Sequence, residues 1–252
     1  MQRYVATLTM IGLLAAPAAA GAQMREWTER GYANLSLGFQ GSAGNLEDTR
    51  EFPLNQEQAR ISVDADTDAG PFFDIGGGAR VWRNVSLGAS FHRVSGDGNA
   101  AVTGSIPHPL FFERPRSFTA EVRGLQRSER ALHISVGYMW LVNERLDVHL
   151  LGGPSFFHVS QEVVGDVSVA ESGAPFTSVV AAPTVATREE SPVGAHIGAD
   201  VTYRFFQQGR TTIGAGAFLR YAGASADIPV LTNTVSTDLG GIQFGFGLRT
   251  RF

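Results

Sequence analysis

The chain has no cysteine and no lysine, and beyond its first two dozen residues no apolar run approaches the ~20 residues a spanning helix needs. Without cysteine there is no disulfide scaffold, no zinc-thiolate module and no thiol nucleophile. Charged residues are scarce, at 17% against the quarter typical of soluble domains. With 43% hydrophobic residues the chain is still too apolar for a disordered tail. A formal net charge of −4 lacks the basic surface on which nucleic-acid binding rests. Phosphate-binding glycine loops and nucleotide fingerprints are absent as well, so no cofactor is expected.

What is present begins with an address. Residues 1–22 read as a secretory signal: Arg3 supplies the positive start, Val5 to Leu14 a short apolar core, and Ala20-Gly21-Ala22 a small-residue cleavage site. The expected mature domain is therefore 23–252.

From there the apolar residues recur at every second position, the period of extended strands with one apolar and one polar face. The terminal segment is the clearest. Ile242, Phe244, Phe246, Leu248, Thr250 and Phe252 share one face, and Gln243, Gly245, Gly247, Arg249 and Arg251 share the other. Similar segments start near Ala33, Phe73, Val85, Leu132, Leu146, Val193 and Ile213. That makes about eight strands, each near the 9–11 residues that cross a bilayer at a tilt. The abundant glycine of the polar faces suits the inside of a narrow barrel, where small residues make room for a few long polar ones.

The connections alternate strictly between short (Arg83-Asn84, 142–145, 207–210) and long (41–71, 94–130, 164–192, 222–235). Membrane barrels sort their connections this way, with short periplasmic turns and long extracellular loops. Trp82, Tyr138, Trp140, Tyr203, Phe205, Phe206 and Phe252 lie beside the short turns, as an interfacial aromatic girdle would. The fold class expected is all-β, a transmembrane antiparallel β-barrel.

The pattern resembles the small eight-stranded outer-membrane barrels, the superfamily of the OmpA transmembrane domain, OmpX and OmpW. Its most specific element is the last strand, Phe244, Phe246, Leu248, Thr250 and terminal Phe252, and the segment 78–88 is similar to the first inner turn of many such proteins. The resemblance implies an outer-membrane location, recognition of that last strand by the barrel-assembly machinery, and contact with outer-membrane lipid and lipopolysaccharide. A monomer is expected. Activity is not implied, because one fold hosts unrelated functions.

An eight-stranded barrel is just wide enough for side chains to fill it. The inward polar candidates are Asp74, Arg80, His92, His133, Asp147, His149, Asp200, Arg204, Arg220 and Arg249. Buried charges must pair, so the expectation is a plug of ion pairs and hydrogen bonds; the alternative is a narrow polar path. His92, His133, His149 and His196 fall on consecutive inward faces and read as polar lining, with no carboxylate spaced to complete a metal site. Asp64, Asp66 and Asp68 share one face of an extended segment, about 7 Å apart, and would attract Ca²⁺ or arginine partners. Gly70 and Ile75 break the EF-hand spacing, so a solvated acidic strand end is the expectation and no metal is assigned.

Lipid A deacylases on similar barrels use a His-x-Ser pair with a downstream acid. Here His133-x-Ser135 points inward, and the next acids, Glu144 and Asp147, fall at a short turn. No enzyme is expected. Pro107, Pro109 and Pro115 enclose Leu110, Phe111 and Phe112, followed by Arg114 and Arg116: a rim for lipopolysaccharide phosphates, another binding surface, or a segment packed into the mouth. The function expected is structural or interactive at the cell surface, through the long loops and an extracellular ligand. The alternative is a narrow pore or an OmpW-like passive conduit for small solutes.

Overall fold

A computed structural model describes residues 26–41, 45–67, 70–231 and 233–252. The leader expected over 1–22, its junction with the mature chain and Asp68 lie outside them. The strands are β1 (Gly31–Gln40), β2 (Asn45–Leu54), β3 (Glu57–Thr67), β4 (Gly70–Trp82), β5 (Val85–Ile106), β6 (Arg116–Leu141), β7 (Leu146–Glu171), β8 (Val179–Glu190), β9 (Val193–Gln208), β10 (Thr211–Val230) and β11 (Asn233–Arg251). No helix among the described residues is long and apolar enough to cross a membrane, which says nothing against crossing by strands.

Eight strands close a ring. Going round, β1 bonds β4, then β5, β6, β7, β9, β10 and β11 follow, each antiparallel to the last, and β11 returns to β1. Closure leaves the ring itself without an edge, the condition for a sheet to sit in lipid. The exposed side chains of the ring are large and apolar, among them Leu37, Phe73, Phe91, Leu132, Ile197, Leu219 and Phe246. Trp82, Tyr138, Trp140, Tyr203, Phe205, Phe206 and Phe252 are exposed beside the short turns. These faces make the ring a belt for lipid.

The long connections differ from loops. Strands β5, β6, β7, β10 and β11 run on past the belt, and three further strands fill in: β2 and β3 form a hairpin on β5, and β8 lines β7. A two-residue turn at Asn55-Gln56, both at positive φ, joins β2 to β3, the geometry favoured in tight hairpins. On β6, Gly124 (φ 71°) makes a bulge opposite the Gly98/Asn99 step. The alternation continues with its polarity reversed. Along β10 the inward residues pass from Thr212, Phe218 and Arg220 to Ala222, Ala226, Ile228 and Val230. The outward ones pass from Ile213, Leu219 and Tyr221 to Ser225 and Asp227. The extension therefore has its own dry core, with Leu46, Ile61, Val63, Val102, Ile106, Phe118, Val163 and Ile228 at its centre. An inward row of Ala100, Val102 and Ile106 set among Gly, Ser and Asn looks like a polar loop until a partner sheet covers it.

Candidate functional site: the barrel lumen

The lower mouth, at the short turns, is stopped by the segment ahead of β1. Trp27 is fully buried there, its main-chain N–H donating to Asn84 Oδ1 (3.0 Å). Arg80, half-buried at this rim, donates to the main-chain oxygens of Trp27 (2.7 Å) and Thr28 (3.4 Å). Glu29 lies 3.7 Å from Arg204 and accepts from Thr212 (3.5 Å).

Above this stopper the charges come in pairs from facing strands. Asp147 is bound by Arg251 and lies 3.2 Å from Arg204. Asp200 meets Arg249 at 2.6 Å, and Arg249 also donates to Ser36 Oγ (2.9 Å). Higher again, Asp74 meets Arg220 at 2.9 Å. The same guanidinium reaches Gln243 (2.5 Å), Ser90 (3.2 Å) and His92 Nδ1 (3.2 Å). Because Nδ1 accepts from arginine, the His92 ring carries its proton on Nε2, which donates to Gln40 Oε1 (3.1 Å). Gln40 then donates to Glu129 (3.3 Å), which also receives Arg127 (2.9 Å). The Arg127–Glu129 pair is the last of this network before Leu125 and the dry core.

The four inward histidines separate into two groups. His133, His196 and Ser155 form one cluster: Ser155 Oγ lies 2.7 Å from His133 Nδ1 and 2.9 Å from His196 Nδ1, and Ser135 caps His196 at 3.0 Å. His92 is near this cluster, its ring 6.0 Å from that of His133. His149 lies apart, bonded to Ser86 (2.9 Å) and edge-on to Tyr32. Gly137 makes the space for it, since a Cβ there would come 2.2 Å from His149 Nε2.

Arg251, Glu29, Trp27, Gln40, Gln243, Arg127 and Glu129 complete the network beyond the residues expected from the sequence. Strand parity marks Arg251, Arg127 and Glu129 as inward; the segment ahead of β1 has no periodicity to announce Trp27 or Glu29. Asp64 and Asp66 are exposed on the outer face of β3. Among the described residues no group of three or more His, Asp or Glu could hold a metal ion. Leu110, Phe111, Phe112 and Arg114 stand at the tip of the β5–β6 hairpin, with the three apolar side chains exposed and Arg114 over the Phe111 ring, while Pro107 is buried at its base. Arg116 is tied down by Glu171 (2.5 Å).

A closed eight-stranded ring, apolar outside and filled with paired charges, defines the class: an integral-membrane β-barrel with the architecture of the small outer-membrane barrels. No family model and no curated protein matches the chain. Solved structures similar to it include Neisserial surface protein A (12% identity, 88% of this chain and 97% of that one, TM-score 0.42). The outer membrane protein OprG from Pseudomonas aeruginosa (8%, 89% and 97%, 0.43) and the outer membrane protease OmpT from Escherichia coli (12%, 92% and 99%, 0.43) are also similar.

Proposed function

We propose that this is a non-conducting outer-membrane barrel whose work is done by its extension, as a contact surface on the extracellular side. One observation carries the reading: above the buried Trp27, three Arg–carboxylate pairs bridge the lumen and leave only a small space of about 40 Å³ among Asp74, Asp200, Arg220, Arg249 and Arg251. A polar network paired in this way rigidifies a barrel, and its pairs stand across the path that ions would take. Leu110, Phe111 and Phe112 form a run of three exposed large apolar residues at the extension's tip, the first place a partner would bind. The Ser155–His133–His196 cluster is buried, and among the described residues no carboxylate bonds to it, so the proposal assigns it to the barrel lining. The test is single-channel recording of the refolded mature chain in planar bilayers. The proposal predicts electrical silence; reproducible, salt-dependent openings would overturn it in favour of a pore.

A second reading, passive movement of small apolar solutes, has one observation in its favour. The β9–β10 ladder ends at Ala195 and Gly223, and above it the edge of β10 has no strand bonded to it. A cavity of about 410 Å³ opens there, lined by Ile197, Tyr221, Gly223, Ala224 and Leu239. If solutes use this seam, Ala224→Trp abolishes uptake of an apolar fluorescent probe into proteoliposomes; equal uptake by both forms removes the reading.

A further inference from the structure

Two arginines face each other on the outside of the wall. Arg93 of β5 is the direct partner of Arg130 of β6, and Arg130 is the direct partner of His158 of β7. All three are exposed. Directly opposed residues have Cβ atoms about 4.5–5.5 Å apart, and like charges so placed repel. Other surface arginines of the extension are neutralised: Arg50 by Asp166, Arg60 by Glu51, Arg123 by Glu121. Among the described residues neither Arg93 nor Arg130 has a carboxylate within 4.0 Å. His158 Nδ1 is occupied by Ser191 Oγ (2.9 Å), which leaves Nε2 as its outward group.

The row's position says what would relieve the repulsion. Two residues toward the short turns on the same three strands are Phe91, Leu132 and Phe156, all outward and exposed. The basic row therefore lies where the apolar belt ends. On its other side is a groove of about 750 Å³, lined by Arg93 and by Ser95, Gln126, Ser128, Ser160 and Thr187. Ser128 Oγ is buried and bonds to nothing among the described residues. Asp97 and Glu162 also line the groove, and Arg127, which lines it too, is already held by Glu129, so the space suits uncharged sugar hydroxyls.

We propose that Arg93, Arg130 and His158 clamp the phosphate of a phosphorylated glycolipid in the surrounding leaflet. Its acyl chains lie on Phe91, Leu132 and Phe156, and its sugar occupies the serine-lined groove. An anion bridging two guanidiniums turns the repulsion into charge-assisted hydrogen bonds. The clamp rests on the belt being a lipid surface and is independent of whether the lumen conducts, so the two proposals fail separately.

The test uses the refolded mature chain in nanodiscs of zwitterionic lipid, titrated with bisphosphorylated lipid A or with the same glycolipid dephosphorylated, bound lipid being counted by native mass spectrometry. The phosphorylated form should bind on the order of tenfold more tightly, the value of one or two charge-assisted hydrogen bonds. Arg93→Gln/Arg130→Gln should lose that preference while keeping its heat-modifiable mobility, and Arg123→Gln should keep both. If the double variant does not refold, Arg130→Gln alone should lose part of the preference. Equal binding of the two glycolipids, or an unchanged preference in the refolded variants, overturns the clamp. Displacement of bound lipid by inorganic phosphate alone also overturns it, because the site would then recognise a free anion.

Discussion

The belt and the extension are built from the same strands and obey opposite rules. In the belt, Arg220, Asp74, Asp200 and Asp147 point inward while Leu219, Phe73, Val201 and Val148 point outward. A few residues further along those ladders, Val102, Ile228 and Val163 point inward while Thr103, Asp227 and Glu162 point outward. The solvent outside decides which. Where the outer medium is lipid, apolar side chains face out at no cost and the narrow interior takes the polar remainder, which must then pair with itself. Where the outer medium is water, the ordinary hydrophobic effect drives the apolar set inward. The strand period never changes; only the face carrying the apolar residues changes.

The comparison breaks most severely at the belt's interior pairs. Asp74→Ala leaves the Arg220 charge buried without a counter-ion, and should cost about 3–5 kcal/mol, read as a lowered urea midpoint of the folded barrel in detergent. Adding Arg220→Met should recover most of it, since an apolar replacement removes the stranded charge; a double variant as weak as the single one would mean that the pair does not set the stability.

Matched outward changes on one strand sharpen the contrast. Ala217→Arg places a charge on the lipid face and should cost about 2–4 kcal/mol, the range for arginine near the bilayer midplane. Ser225→Arg, outward in the extension, should stay within about 0.5 kcal/mol, as surface changes usually do. Equal losses would show that both positions face the same medium. A loss smaller than that of Ala217→Arg is expected from packing inside the belt. Gly137→Ala brings a methyl group to 2.2 Å from His149 and should cost about 1–3 kcal/mol, with His149→Ala in the same chain relieving the clash.

Much of the belt was legible from the sequence because its contrast is strong. Phe244, Phe246 and Leu248 against Gly245, Gly247 and Arg249 has one physical reading at period two, and the same parity assigns Asp74, His92, His133 and Asp200 to the lumen. Parity says which face a residue occupies, not its height, so the partnering of Arg220 with Asp74 rather than Asp200, and the distance of His149 from His133, required the register. The extension was hidden for a different reason. Its inward row on β10 is Ala222, Ala224, Ala226, Ile228 and Val230, interleaved with Gly223, Ser225, Asp227 and Pro229, a composition that also suits a loop. Only pairing β10 with β11 and covering it with β2 and β7 makes that row a core. The Trp27 stopper had no signal, being a single aromatic residue outside any repeat.

The reversal itself can be measured along one strand. The chain has no cysteine, so each cysteine introduced between 213 and 230 is the sole site for a nitroxide label. Collision with oxygen reports lipid exposure, and collision with a water-soluble nickel complex reports water exposure. The account predicts oxygen-accessible labels at 213, 215, 217, 219 and 221, nickel-accessible labels at 225, 227 and 229, and labels shielded from both reagents at 226, 228 and 230. Nickel-accessible labels at 226, 228 and 230, or oxygen-accessible ones continuing through 229, would contradict it.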